Sequence, residues 1–259
     1  MRSFAFSIAY WGLSISYGLA AAFAALAPGR AATSWIIRRY VHRIVQAMQL
    51  FAGIKIQARG KERLPDGAFI IASKHQSWGD GFATYNQFDD VAFVTGDHLE
   101  KFPLLGTVLR KLGAIVVNSC GGREARDSLK HRGADAHREG RKILIFPEGH
   151  LAKVGEKYRY RSGVWHMYRD FDMPVVPLAT NLGLFWPEEK YEKHPGVATL
   201  EFLDPIPTGL GKAEFLERLE TVIEGRTAEL VAEATGHPVT PAVQVLTPDE
   251  AKKAQAAAA

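Results

Sequence analysis

The chain has a single cysteine, Cys120, in 259 residues. That excludes an internal disulfide framework and any metal site built from several thiolates. Its nine histidines form no H-x-x-x-H or H-E-x-x-H spacing, so a helical zinc pair is absent and no metal is expected. No G-x-S-x-G elbow occurs, which leaves Ser77 and Ser162 without the strained turn that exposes a hydrolase nucleophile. Internal repeats are missing too. Charge of one sign is scarce, with a net of +4 and a pI of about 9.1. That mild basic excess suits anionic lipid surfaces or phosphorylated substrates. It gives little ground for nucleic acid, because cations interleave with aromatics only around Tyr158 and Tyr160.

Apolar residues make up 47% of the chain and aromatics 10%, ample for a packed core. The length fits one α/β domain with a little extra at each end. One long apolar run stands out. From Ser3 to Gly29 the chain is uncharged, bracketed by Arg2 and Arg30. About 20 apolar residues of helix cross a bilayer's hydrocarbon core, so this segment is long enough to insert. A cleavable signal peptide and a buried helix of a soluble protein are its alternatives, although a signal core is usually only about 7–15 residues.

Beyond it, Ile37, Val41, Ile44, Met48 and Phe51 recur at helical one-face spacing. Arg38, Arg39, His42, Arg43, Gln46 and Gln49 occupy the other side. Such a basic amphipathic helix reads as an interfacial anchor, or else as an ordinary helix packed on the domain. The arginines cluster after the apolar helix, against a lone Arg2 before it, which places this side in the cytoplasm.

After Ala52 the pattern becomes alternating. Short β-branched or aromatic runs at Ile54–Ala58, Ala68–Ser73, Val91–Thr95, Ala114–Asn118, Lys142–Phe146, Pro174–Thr180 and Val197–Leu203 predict strands. Helices are expected near Gly81–Phe88, Pro103–Leu112, Arg123–Glu139, Gly163–Asp170 and Ala213–Ala234. The order predicts an α/β fold: a mixed, largely parallel sheet flanked by helices, behind an N-terminal membrane-associated helix pair. Residues 1–52 would be that pair, 53–235 the α/β domain and 236–259 a flexible tail.

Three segments carry chemistry. In Ser73-Lys74-His75-Gln76-Ser77-Trp78-Gly79-Asp80, a five-residue offset on one helix would turn His75 and Asp80 roughly 140° apart. A strand end, a Gly-containing turn and a helix start can instead bring them together. Asp80 would then accept from one ring nitrogen while the other takes a proton. In Phe146-Pro147-Glu148-Gly149-His150 a buried strand ends at a carboxylate, at the end of a sheet where ligands sit; N-capping is the plainer role for Glu148. Lys153, Lys157, Arg159 and Arg161 follow, a phosphate-binding run or a solvated loop. Pro174-Val175-Val176-Pro177-Leu178-Ala179-Thr180-Asn181 reads as a core strand, or as an edge or opening of the sheet.

K-H-Q-S-W-G-D, F-P-E-G and P-V-V-P-L-A-T-N resemble, in that order and at similar separations, the motif blocks of the glycerolipid acyltransferase family. Over roughly Ile54 to Phe202 the chain looks like the bacterial 1-acyl-glycerol-3-phosphate acyltransferases. The stretch Gly96 to Val117, with Phe102-Pro103, Gly106 and Ile115-Val116-Val117, looks like the family's second block.

The resemblance implies direct transfer from acyl-CoA or acyl carrier protein to a membrane lipid acceptor, with no cofactor and no acyl-enzyme. It places the catalytic domain at the cytoplasmic side of a bacterial inner membrane. It makes His75 the general base and Asp80 its orienter. Glu148 and Gly149 become part of the acceptor site, with Lys153, Arg159 and Arg161 as further substrate-binding candidates. Two positions depart from the family pattern. Asn118-Ser119 stand where the second block usually ends in an arginine, and His150-Leu151 stand where the other block reads P-E-G-T-R. Neither Ser119 nor Leu151 can offer the planar fork that grips a phosphate. A lyso-lipid without a phosphomonoester, such as lyso-ornithine lipid, is therefore a second acceptor class. A non-catalytic membrane-binding relative is a third reading.

Overall fold

Two helices lead the chain: α1 (Arg2–Ala24) and α2 (Ala31–Ala47), the latter running on into a π turn at Met48–Ala52. The order that follows is β1 (Ile54–Arg59), β2 (Ile70–Ser73), α3 (Asp80–Tyr85), β3 (Val91–Gly96), α4 (Pro103–Leu112) and β4 (Ile115–Val117). Then come α5 (Gly122–Arg138), β5 (Lys142–Ile145), β6 (Glu156–Lys157), α6 (Gly163–Phe171), β7 (Val175–Thr180), β8 (Gly196–Phe202), α7 (Lys212–Thr235) and β9 (Val243–Gln244). The computed structural model describes residues 1–117, 122–248, 250 and 251. Asn118, Ser119 and Cys120 lie outside the described residues, as do 252–259.

Seven strands form one sheet in the order β1-β8-β7-β2-β5-β3-β4. All neighbours are parallel except β7 and β8, so β1 and β8 run opposite to the other five. The sheet is therefore mixed and largely parallel, and each expected strand is present within two residues of its expected ends. β2 and β7 are buried along their whole length, the mark of strands covered on both faces. α1, α2 and α3 cover one face, where Phe6, Ile44 and Met48 meet Phe69, Val176 and Phe202. The other face is covered by α5, α6 and α7 through Leu129, Tyr168, Phe171, Phe215 and Ile223.

Of the two readings of the proline-flanked β7, the core strand holds and the edge does not: it lies between β8 and β2. Pro177 is tolerated because its antiparallel pairing with β8 covers only Leu178–Thr180, so the missing N–H falls where that ladder ends; its carbonyl still accepts from the Leu203 N–H at 2.9 Å. The segment after α7 is also held. β9 pairs parallel with β6, and the Val243 and Val245 N–H groups donate to the Gly155 and Lys157 carbonyls at 2.9 Å each. An open two-residue edge at β6 offers donors and acceptors that an extended segment satisfies.

α1 is long and apolar enough to cross a membrane. It nevertheless lies along the domain. Phe6 packs edge-on to Trp186 at 5.0 Å, the Ser14 hydroxyl meets the Tyr40 hydroxyl at 2.8 Å, and Ala21 packs with Val108 and Leu112 of α4. Phe4, Ile8, Trp11, Ile15, Leu19 and Phe23 form an exposed stripe on its outer face. The helix is thus neither a buried core helix nor detached from the fold.

Candidate active site

The crevice outside the C-terminal ends of β2 and β5 is where the sheet's winding reverses. The chain leaves β2 through α3 towards β3 on one side, and leaves β5 through α6 towards β7 on the other. His75 lies just past the end of β2. The Lys74 N–H still donates to the Leu178 carbonyl at 3.0 Å, after which the backbone turns through Gln76–Gly79 into α3. Asp80 opens that helix and reaches back. Its Oδ2 accepts the N–H groups of Gln76 and Ser77 at 2.7 Å each and meets His75 Nδ1 at 3.2 Å. This fold-back brings together the pair that a single helix would separate. An ionised carboxylate only accepts, so this contact calls for the ring proton on Nδ1 and leaves Nε2 able to accept one.

Two neighbours fix the imidazole. Its ring stacks on Phe146, with centroids 3.9 Å apart and planes 19° from parallel, and its carbonyl accepts the Ala152 N–H at 2.8 Å. The side chain remains 20% exposed, enough for a substrate to reach. Gly79 is required by close approach: a Cβ there would stand 2.9 Å from both Leu182 and Trp186. The segment that follows β7 therefore braces the His75–Asp80 turn from behind. Asn181 itself is occupied structurally, donating to the Leu230 carbonyl and accepting the Thr199 N–H.

The F-P-E-G turn supplies the second wall. Glu148, expected in the acceptor site, is instead fully buried beneath it. Its Oε1 accepts the His75 N–H at 3.3 Å, while Oε2 accepts the Tyr158 N–H and the Lys74 ammonium at 2.9 Å each. Burial pushes this carboxyl above the usual range, with the Lys74 charge opposing and Glu224 adding to the rise. The carboxylate serves the backbone around the site because it has no face left to water.

Gly149 adopts a left-handed φ of +71°, and a Cβ there would meet the Arg161 guanidinium at 2.8 Å. Arg161 lies across this turn. Its N–H groups reach the Pro147 carbonyl from the main chain at 2.8 Å and His150 Nε2 from the side chain at 2.9 Å. Arg159 is exposed on the same loop, and Lys153 is exposed in an ion pair with Glu189 at 2.8 Å. Lys157 points elsewhere, to Glu220 on α7. The structure thus gathers His75, Asp80, Gly149 and Arg161 at one end of the sheet. Sequence reasoning missed Phe146 and Lys74 as parts of the site, although both stand inside the quoted motif blocks; Glu224 carried no local signal.

With that geometry in hand, similarity to known proteins is informative. Residues 55–181 match the family model described as Acyltransferase. This stretch is similar to acyltransferase domains. The chain is 27% identical over 222 residues to the 1-acyl-sn-glycerol-3-phosphate acyltransferase of Pseudomonas aeruginosa, covering 83% of this chain and 86% of that one. The enzyme of the same name from Saccharomyces cerevisiae is 25% identical over 178 residues, 67% of this chain and 58% of the yeast protein. The crystal structure of the 1-acyl-sn-glycerophosphate (LPA) acyltransferase PlsC from Thermotoga maritima shares the fold, with a TM-score of 0.71 and 19% identity over 90% of this chain and 98% of that one. The matched span includes the His75–Asp80 turn and the F-P-E-G turn, and it ends at Asn181. Arg161 falls inside the same span and lies across the turn at Gly149.

Proposed function

We propose that the chain moves a fatty acyl group from a thioester donor, acyl-CoA or acyl carrier protein, to the free hydroxyl of 1-acyl-sn-glycerol-3-phosphate, giving phosphatidic acid. The observation that carries this is the His75–Asp80 contact at the mouth of the crevice, with Nδ1 engaged and the ring accessible. In the reaction the acceptor hydroxyl hydrogen-bonds to His75 Nε2. As its oxygen attacks the thioester carbonyl, its proton passes to Nε2 and Asp80 stabilises the imidazolium. The tetrahedral intermediate then expels the thiolate, which takes the proton from the ring. The new ester bond replaces the thioester, and no side chain is acylated.

The exposed stripe of α1 fits a leaflet of the bacterial inner membrane on its cytoplasmic side, so that the crevice meets lyso-lipid at the surface. Replacing Asp80 by Asn keeps an oxygen for the two backbone donors but removes the charge facing the imidazolium. A loss of roughly 10²–10⁴ in kcat is expected, measured by thiol release. Unchanged kcat would remove Asp80 from the mechanism.

Arg161, His150, Arg159 and Lys153 are the groups placed to meet the acceptor's phosphate. Charge-assisted hydrogen bonds contribute about 1.5–3 kcal/mol, so Arg161→Ala should raise KM for lysophosphatidate about 10- to 100-fold. A second acceptor class, lyso-lipids lacking a phosphomonoester, is favoured by Leu151 at the family's arginine position. A panel of lysophosphatidate, lyso-ornithine lipid and zwitterionic lyso-lipids with labelled acyl-CoA separates the two. Acylation of lysophosphatidate alone, with the Arg161 effect, supports the first; turnover of ornithine lipid alone transfers the assignment to the second.

A further inference from the structure

Among the buried polar groups that the reaction above leaves unused, three meet at one point: Lys74, Glu224 and Tyr160. Lys74 immediately precedes the catalytic His75, yet its side chain is fully buried. Its ammonium donates to Glu148 Oε2 at 2.9 Å, to Glu224 Oε1 and Oε2 at 2.9 and 3.1 Å, and to the Glu156 carbonyl at 3.1 Å. Glu224, on α7, also accepts the Tyr160 hydroxyl at 2.9 Å. A single ammonium therefore ties four segments together: the end of β2, the F-P-E-G turn, the 156–160 loop and helix α7.

A buried ion is costly to desolvate, and a well-packed apolar group in its place is often as stable or more so. Stability alone gives no reason for this knot. Its position does. Glu148 holds the His75 main-chain N–H on one oxygen and the Tyr158 N–H on the other, and Tyr160 sits between the exposed cations Arg159 and Arg161. The catalytic base and the cation-bearing loop thus hang from one carboxylate and one hydroxyl, and Lys74 and Glu224 fix both.

We propose that Lys74, Glu224 and Tyr160 are positioning residues for acyl transfer: through Glu148 they set the imidazole of His75, and through Tyr160 they hold Arg159 and Arg161 at the acceptor. The inference rests on the reaction proposed above and deepens it. Neither end of the knot touches substrate. Its effect divides by branch, with Lys74 governing the chemical step and Glu224 and Tyr160 governing acceptor binding.

The test is steady-state kinetics of the full chain in mixed micelles, with acceptor and donor varied separately and thermal unfolding measured in parallel. Tyr160→Phe and Glu224→Gln keep side-chain volume and should fold. Each is expected to raise acceptor KM about 5- to 20-fold with donor KM unchanged, the pattern of lost ground-state contacts. Lys74→Met should lower kcat by about 10²-fold, the scale of a misaligned general base. Loss of kcat with both KM values unchanged, in proportion to loss of folded protein, would reduce the knot to a structural role and overturn the proposal. Wild-type constants in Tyr160→Phe and Glu224→Gln overturn it as well, even where Lys74→Met fails to fold. If the wild-type chain transfers acyl groups to no lyso-lipid, the proposed reaction fails first; if it transfers and the variants match it, only the positioning role fails.

Discussion

Replacing His75 by Ala is expected to lower acyl transfer by about 10²–10⁴-fold, the range a positioned general base contributes. The substitution removes the Nδ1 contact with Asp80 and the stack on Phe146. It leaves the framework of the turn, because Asp80 still accepts the Gln76 and Ser77 N–H groups and Ala152 still donates to the residue-75 carbonyl. Thermal unfolding and sedimentation with vesicles should therefore match the wild type. A variant that turns over at the wild-type rate would rule out the imidazole as base. A variant that loses activity only together with its melting transition would show that His75 is needed for folding rather than chemistry.

The second large effect concerns α1. Ile8 and Ile15 point away from the domain, at 59% and 60% exposure, within the exposed stripe. If the stripe lies in a leaflet, each side chain contributes about 1.5–3 kcal/mol of burial. The double substitution Ile8→Glu with Ile15→Glu should then weaken binding to phosphatidylglycerol vesicles by about 10²–10⁴-fold, since each 1.4 kcal/mol is a factor of ten. The inward residues Phe6, Ser14 and Ala21 are untouched, so activity on a short-chain, water-soluble lysophosphatidate should persist. Unaltered vesicle affinity counts against a membrane role for this face. Loss of activity on the soluble acceptor would mean instead that α1 holds the domain together.

Much of this was legible in the residues. Strand runs such as F-I-I-A-S and K-I-L-I are short, β-branched and punctuated, and an apolar run of that length has few other uses in an α/β chain. His75 and Asp80 were legible as a candidate pair through the strand before them, the F-P-E-G block after them and the resemblance of both to a known family's motifs. Spacing alone left them on opposite sides of a helix. Glu148 shows the limit. The sequence places it at the end of a buried strand, a position equally compatible with facing a ligand or facing the core. Nothing local distinguishes the two, because the deciding partner Lys74 lies 74 residues from Glu148, and Glu224 lies 150 residues from Lys74. The pairing of residues 243–244 with 156–157 was illegible for the same reason: a polar, proline-rich segment docks only where a complementary edge happens to lie.

The sequence by itself determined the alternation of strands and helices and the apolar N-terminal run, since each follows from local periodicity; the roles expected of His75 and Asp80 came from the resemblance of their motif. Tertiary structure alone decided that α1 lies against the domain with one face outward. It also decided that Glu148 faces inward to Lys74, and that Arg161 lies across Gly149 beside Leu151. These depend on which surfaces meet when the sheet winds in both directions from β2 and β5. That meeting is a property of long-range packing, which no window of residues contains.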